Sequence, residues 1–370
     1  MSSAKALFAS RHREGTFSMP SRVSRKKVTL KAIAERLGVT VATVSKALRD
    51  STDISREMKA RVRAVAEEMG YHPNLLARSL ARKRSNLLGV IIPDVNISYY
   101  ADLVQGIFEN AHERGYESII MFHHESPERE RRSLQFLYSL QVDGVLVNTT
   151  NGAHNRDFLL KLQSEAIPVV CYDREIEDGA FNVVTIDEER AMTAVLRTLA
   201  RNGRRNVAYV GPTEGEDVTV RRFQAYQRQR ADFGLSPAPE LVVSSESSVR
   251  SAEVELGHRL SNGLKPDAVV CCGGLVAFGA GKALLNAGFR MPEDVLLVEY
   301  GDNNLVQRLA VSYLAVNESP YEMSRLAVEL MDVCLSAPPE DWKPRRLCVP
   351  TKLVYYDHTR HAEEILETVE

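Results

Sequence analysis

The chain has 370 residues, of which 44% are hydrophobic and 26% charged, and a formal net charge of −2. That length exceeds one ordinary core, no apolar run is long enough to cross a bilayer, and five scattered cysteines without C-x-x-C spacing exclude a disulfide framework and a thiolate zinc site. The small net charge hides an asymmetry: Ser21 to Arg84 hold sixteen Lys/Arg against six Asp/Glu, a net +10, residues 1–20 hold +2, and the remainder holds −14.

A basic head ahead of an acidic body is the pattern of a small domain that faces a polyanion. The first twenty residues lack the sustained apolar stretch of a secretory signal, so residues 1–26 read as a disordered extension, with Met19 as an alternative start. A reducing cytoplasm is the expected compartment.

The head, residues 27–72, reads as three short helices. In "VTLKAIAERLG" the apolar residues Leu30, Ile33, Ala34 and Leu37 recur at helical spacing, with Thr29 as N-cap and Gly38 as stop. After Val39, Thr40 caps "VATVSKAL", which turns Val44 and Leu48 inward and leaves Ala42, Thr43 and Lys46 facing out. "SREMKARVRAVAEEMG" buries Met58, Val62, Val65, Ala66 and Met69. Two short helices across a tight turn, closed by a third, predict a helix-turn-helix unit. The next stretch, "HPNLLARSLARKRSN", has helical spacing at Leu75, Leu76, Ala77, Leu80 and Ala81 but runs for only about two to three turns, marginal in water, between Pro73 and the cluster Arg82 to Arg84.

From Leu87 on, apolar runs alternate with helical patterns: "LLGVIIP", "SIIMFHH", "DGVLVNT", "IPVVCYD", "VVTID", "NVAYVGP", "AVVCCGG" and "DVLLVEY". This alternation predicts parallel sheets with helices on both faces, divided between two lobes. There is no G-x-G-x-x-G after the first strand, no phosphate loop and no G-x-S-x-G elbow; "GPTEGEDV" lacks the lysine that a phosphate loop needs. His123 and His124 end a strand and read as loop residues, and Cys271 and Cys272 as core filler. Binding without turnover is expected, with no cofactor, no metal and no membrane.

The string "VTLKAIAERLGVTVATVSKAL", followed by a third helix and "YHPNLLARSLA", resembles the start of LacI/GalR family transcriptional regulators, with the best match to galactose-repressor-like members. The resemblance makes residues 73–85 a hinge helix and linker, disordered in the free protein and folded when two copies pair in the minor groove. Leu80 then becomes the residue that wedges between base pairs. It places Val41, Ala42 and Lys46 at the base-reading positions, with Thr29, Thr40, Thr43, Ser45, Asn74, Ala77 and Arg78 as further DNA contacts. Val41 and Ala42 offer only apolar contact, for instance to a thymine methyl, whereas Lys46 can donate to guanine. Arg49 stands where the family often has Asn.

The resemblance also implies a body, residues 86–358, folded like the periplasmic sugar-binding proteins. Its N-lobe would span about 86–187 and 317–346 and its C-lobe about 188–316 and 347–358, with crossings near Asp187, Val316 and Leu347 and a tail at 359–370. Effector contacts implied by position are Tyr99, Tyr100, Asp173, Asp187, Arg222 and, through a one-residue shift, Asp302; Asp187 reads equally as a helix cap. Gly273, Gly274, Gly301 and Glu188 depart from the acidic or amide residues usual in relatives. Loss of acidic groups at Gly274 and Gly301 makes an anion more acceptable beside Arg222.

The resulting expectation is a palindromic operator bound by a homodimer, since "HAEEILETVE" is too short for a stable coiled coil. The effector would be a sugar, sugar phosphate or sugar acid, and the protein would be nucleoid-associated when bound to DNA. The same architecture with a degenerate pocket is the alternative. A solute-binding protein is the third reading, opposed by the basic head.

Overall fold

The computed structural model describes residues 28–71, 84–150, 154–176, 179–215, 218–301, 304–360 and 362–369. Two compact units divide the chain, one ending at Arg78 and the other beginning at Ser79.

In the first unit, α1 (Leu30–Leu37), α2 (Val41–Leu48) and α3 (Arg56–Glu68) form a three-helix cluster. Each helix begins on a hydroxyl that satisfies an otherwise orphaned amide: Thr29 accepts from Ala32, Thr40 from Thr43 and Ser55 from Met58, at 3.1 to 3.2 Å. Gly38, at φ 67°, ends α1 in the left-handed region, which makes the turn into α2 short. Ile33, Ala34, Val44, Ala47, Val62 and Ala66 form the buried centre, with Leu30, Leu37, Leu48, Met58, Val65 and Met69 packed around it.

The second unit holds two sheets. The first contains β1 (Leu87–Ile92), β2 (Glu117–Phe122), β3 (Gly144–Val147), β4 (Val169–Tyr172), β5 (Asn182–Thr185) and a late strand, Arg346–Cys348, in the order late strand, β5, β4, β3, β1, β2. All its ladders are parallel. Its inner strands are buried on both faces, the reason they read as unbroken apolar runs. Helices α4 (Ser98–Glu113), α5 (Pro127–Ser139) and α6 (Arg156–Ser164) connect these strands.

Through α7 (Glu188–Arg201) the chain enters the second sheet, built on β6 (Val207–Gly211), β7 (Val242–Ser244), β8 (Ala268–Cys271), β9 (Leu296–Tyr300) and β10 (Tyr313–Asn317). The intervening helices are α8 (Val218–Gln229), α9 (Val249–Ser261), α10 (Gly274–Asn286) and the short α11 (Asn304–Gln307). Helix α12 (Pro320–Ser336) then returns to pack with α4 and against β4 and β5. The late strand, now β11, pairs with β5, after which β12 (Thr351–Asp357) and β13 (Ala362–Val369) add antiparallel strands beside β10. One core cluster fills the second sheet and its helices; two more flank the first sheet.

All eight apolar runs read from the sequence are strands. Five further strands, β7 and β10 to β13, were not among them. The segment 359–370, read as a tail, continues the sheet: β13 pairs with β12 along its length. Strand β11 carries the N-lobe sheet to Cys348, two residues beyond the boundary expected at 346. The extension 1–26 and all but the last two residues of the hinge segment 73–85 lie outside the described residues.

Candidate nucleic-acid interface and ligand cavity

In the head, the residues that do not face the core of α2 are Val41, Ala42 and Lys46; Val41 is 43% exposed. Thr43 and Ser45 are half-buried, and Thr29 and Thr40 are exposed but already serve as caps. Lys46 is not idle: its Nζ lies 2.5 Å from a carboxylate oxygen of Asp53, in the loop before α3, and holds that carboxyl down to about 2. Arg49 donates through Nε to the carbonyl of Ser45 at 3.1 Å, closing the C-terminal end of α2 where a cation is favoured. Asn74, Ala77, Arg78 and Leu80 lie outside the described residues.

In the body, a cavity of about 300 Å³ opens beyond the carboxyl ends of strands from both sheets, where open α/β sheets present their loops. The first sheet contributes Tyr99, Tyr100, Asp94, Glu125, Asp173 and Arg174; the second contributes Arg222, Gly273, Gly274, Tyr300 and Gly301, and Glu318 reaches in from the crossing after β10.

Asp173 follows β4 at φ 64° and accepts from the Tyr99 hydroxyl at 2.8 Å and from Asn148 Nδ2 at 2.7 Å. Burial and the adjacent Asp173 hold the Tyr99 hydroxyl well above its usual range, so it remains a donor. Arg174 makes a two-pronged pair with Glu125, both contacts at 2.8 Å, and donates to the Thr149 carbonyl. Glu125 is positioned by the turn at His123, whose Nδ1 accepts from the Glu125 amide while Nε2 meets the Asn148 carbonyl. Burial lowers the His123 pKa to about 4, so the ring is neutral.

Arg222, 5% exposed, is the centre of a second network. Its Nε and Nη2 grip Glu188 at 3.0 Å, Nη2 also meets Glu318 at 2.8 Å, Nη1 donates to the Cys272 carbonyl at 2.8 Å, and the guanidinium lies 4.3 Å over the Tyr300 ring. Burial alone would lower the Arg222 pKa, but the two carboxylates hold it above the ordinary arginine range. Burial raises the Glu318 carboxyl to about 8 against the pull of Arg222, with Glu188 and Asp173 adding to the rise. Glu188 is raised by burial as well.

Residues 29–74 match the family described as "Bacterial regulatory proteins, lacI family", and residues 85–354 match "Periplasmic binding proteins and sugar binding domain of LacI family". The chain belongs to the LacI family. It is therefore a DNA-binding transcriptional regulator with a helix-turn-helix head and a periplasmic-binding-protein-like body. Among its relatives, the transcriptional regulator RegA of Clostridium saccharobutylicum is 28% identical over 82% of this chain and 91% of its own. The ribose operon repressor of Haemophilus influenzae is 26% identical over 88% and 98%. The Lac repressor bound to ONPG superposes with a TM-score of 0.77 at 20% identity, covering 89% of this chain and 98% of that one.

Of the effector residues expected from the LacI-family resemblance, Tyr99, Tyr100, Asp173 and Arg222 line one cavity. Asp187 does not: its carboxylate accepts from the Arg190 amide at 3.0 Å and caps α7. Asp302 lies outside the described residues, while Gly301 lines the cavity at φ 95°, a backbone strained for any residue with a Cβ. Glu188 and Glu318 occupy the Arg222 fork, which the expectation of an anion there did not include. In sequence Glu188 stands out as a departure from relatives, with nothing to mark Arg222 as its partner. Glu318, Glu125 and Arg174 were missed; the signal was the acidic residue in "AVNESPY", directly after an apolar run that the strand pattern did not include.

Proposed function

We propose that this LacI-family regulator binds a two-fold symmetric operator as a homodimer, that a small polyhydroxylated effector in the interlobe cavity sets its affinity for DNA, and that the body performs no turnover. The observation that carries the reading is the position of the cavity, built from both sheets and lined by Glu318, which shares Arg222 with Glu188; both carboxylates stand where the chain crosses between the sheets. A ligand held there has different contacts when the lobes move, and only such differential contact shifts an equilibrium. The names of the ribose operon repressor and of the Lac repressor bound to ONPG support a sugar-like ligand.

Homodimer pairing is supported by large apolar side chains left exposed on packed helix pairs: Phe108 and Tyr321 on α4 and α12, Val254 and Leu285 on α9 and α10. Cytoplasmic location, with nucleoid association on DNA, follows from the proposed role. Among the described residues no helix is long and apolar enough to cross a membrane, and no His, Cys, Asp and Glu group is arranged to hold a metal.

Selection of sites by the full chain from random duplex DNA tests the first part. The expected product is a palindrome centred on a flexible pyrimidine-purine step; an enriched asymmetric or direct-repeat site would sink the reading. A second reading, a regulator with the same architecture and no effector, is favoured by the internal satisfaction of Arg222 and gains if no ligand changes operator affinity.

A further inference from the structure

Cavity charge is one-sided. Four carboxylates, Asp94, Glu125, Asp173 and Glu318, line it against two guanidiniums, Arg174 and Arg222, and Glu188 adds a fifth carboxylate against Arg222. Both guanidiniums are engaged by carboxylates: Arg174 by Glu125, Arg222 by Glu188 and Glu318. An anionic ligand would have to displace the buried Glu188 and Glu318 to reach the Arg222 fork, or the exposed Glu125 to reach that of Arg174.

The carboxylates are not symmetrically served. Asp173 is only 7% exposed, is bonded by the neutral donors Tyr99 and Asn148, and has no ion pair among the described residues. Asp94, half-buried, accepts from the amide of Asn96 in its own turn. A buried carboxylate without a counter-charge is costly, and a cationic ligand group can supply the missing partner. Aromatic surface completes the setting. Tyr99 and Tyr100 meet edge to face at 5.3 Å, and Tyr300, 1% exposed, lines the cavity with a buried hydroxyl that has no hydrogen-bond partner among the described residues. Carboxylates beside aromatic faces suit a cation, and the Tyr300 hydroxyl and Asp94 remain for a ligand's hydroxyl groups.

Resting on the reading of this cavity as the effector site, we propose that the effector is a small amino-polyol, an amino sugar being the simplest case, whose ammonium group is taken up by Asp173 and Glu318. The groups facing Glu318 are Arg222 on α8, Glu188 on α7, Asp173 after β4, Tyr300 on β9 and Tyr99 on α4. Burial raises the Glu318 carboxyl to about 8 even beside Arg222, so near neutrality it largely keeps its proton, and an arriving ammonium displaces that proton. A neutral sugar has no such effect.

The test is calorimetric titration of the full chain with glucosamine, galactosamine and mannosamine, each beside its neutral parent, its N-acetyl derivative and the parent's 6-phosphate. At least one amino sugar is expected to bind about tenfold or more tightly than its parent and its N-acetyl derivative. Binding near pH 7 should release a proton, seen as a heat that varies with the ionisation enthalpy of the buffer. Asp173→Asn should narrow the amine preference to less than about threefold, and Glu318→Gln, which needs no change at the Tyr99 and Asn148 contacts, should abolish the proton release. A neutral or phosphorylated sugar that binds as tightly as its amino counterpart overturns the inference and leaves the effector reading standing. Binding by none of the four classes overturns both.

Discussion

Lys46 is the single base-reading candidate on α2 with a hydrogen-bonding side chain, and in the head it is tied to Asp53. Both side chains are about half exposed, so the pair is worth little and is broken readily when a guanine offers two acceptors. Lys46→Ala should cost about 1 to 3 kcal/mol of specific binding and relax preference at one base pair per half-site. Asp53→Asn should instead raise operator affinity by about two- to fivefold, since the competing partner is gone. Fluorescence anisotropy on single-base operator variants reads both; an equal loss on operator and random DNA for Lys46→Ala would assign the lysine to phosphate alone. Glu318 gives a second prediction. Its folded carboxyl is raised to about 8 from an ordinary value near 4.5, so the folded state binds this proton more tightly than the unfolded chain. The resulting stability is complete below about pH 4.5 and is lost as pH rises through about 8. The melting temperature should therefore fall over that window, and Glu318→Gln should flatten the fall. Equal slopes in both proteins would show that Glu318 does not carry it.

Among the elements, α7, α8 and the crossing after β10 meet at one guanidinium. Arg222→Ala would strand Glu188 in the interior and leave Glu318 without its donor, and breaking a buried pair from one side costs about 3 to 5 kcal/mol. The triple variant Arg222→Met, Glu188→Gln, Glu318→Gln removes the charges together and should recover most of that loss in urea denaturation. A triple variant no more stable than Arg222→Ala would mean that the guanidinium packs the site and does not neutralise it. The same elements show what the sequence could display. The head was legible because each helix carries its own cap and spacing: Thr29, Thr40 and Ser55 announce their helices within three residues. The eight strands that were read have four to six residues of apolar sequence, and all but the edge strand β2 are buried along nearly their whole length. By contrast β7 and β11 have three residues each, too few for a periodic signal. Strand β13, "AEEILETV", is an exposed edge held by its ladder to β12, and its local composition gives no sign of that partner. Tyr99, Asp173 and Arg222 could be nominated from resemblance, but the partners that decide their chemistry lie 34 and 96 residues from Arg222. A cap at Asp187 and a ligand contact there look alike in sequence; only the bond to the Arg190 amide separates them.

For the molecule as a whole, the proposed function rests on linkage between a cavity and a DNA-binding head. The acidic body and basic head divide two tasks, and a ligand in the body matters to DNA only through its different affinity for the states the body adopts. Such coupling is typically worth about 1 to 3 kcal/mol and must be reciprocal. It is also independent of the ligand's charge, so it holds for an amino sugar and for a neutral one. The most direct measurement is a paired titration: operator affinity of the full chain with and without saturating ligand, and ligand affinity with and without saturating operator. Linkage requires the two ratios to be equal, and they should differ from one by about five- to 150-fold. A ligand that fills the cavity and leaves operator affinity unchanged would contradict it.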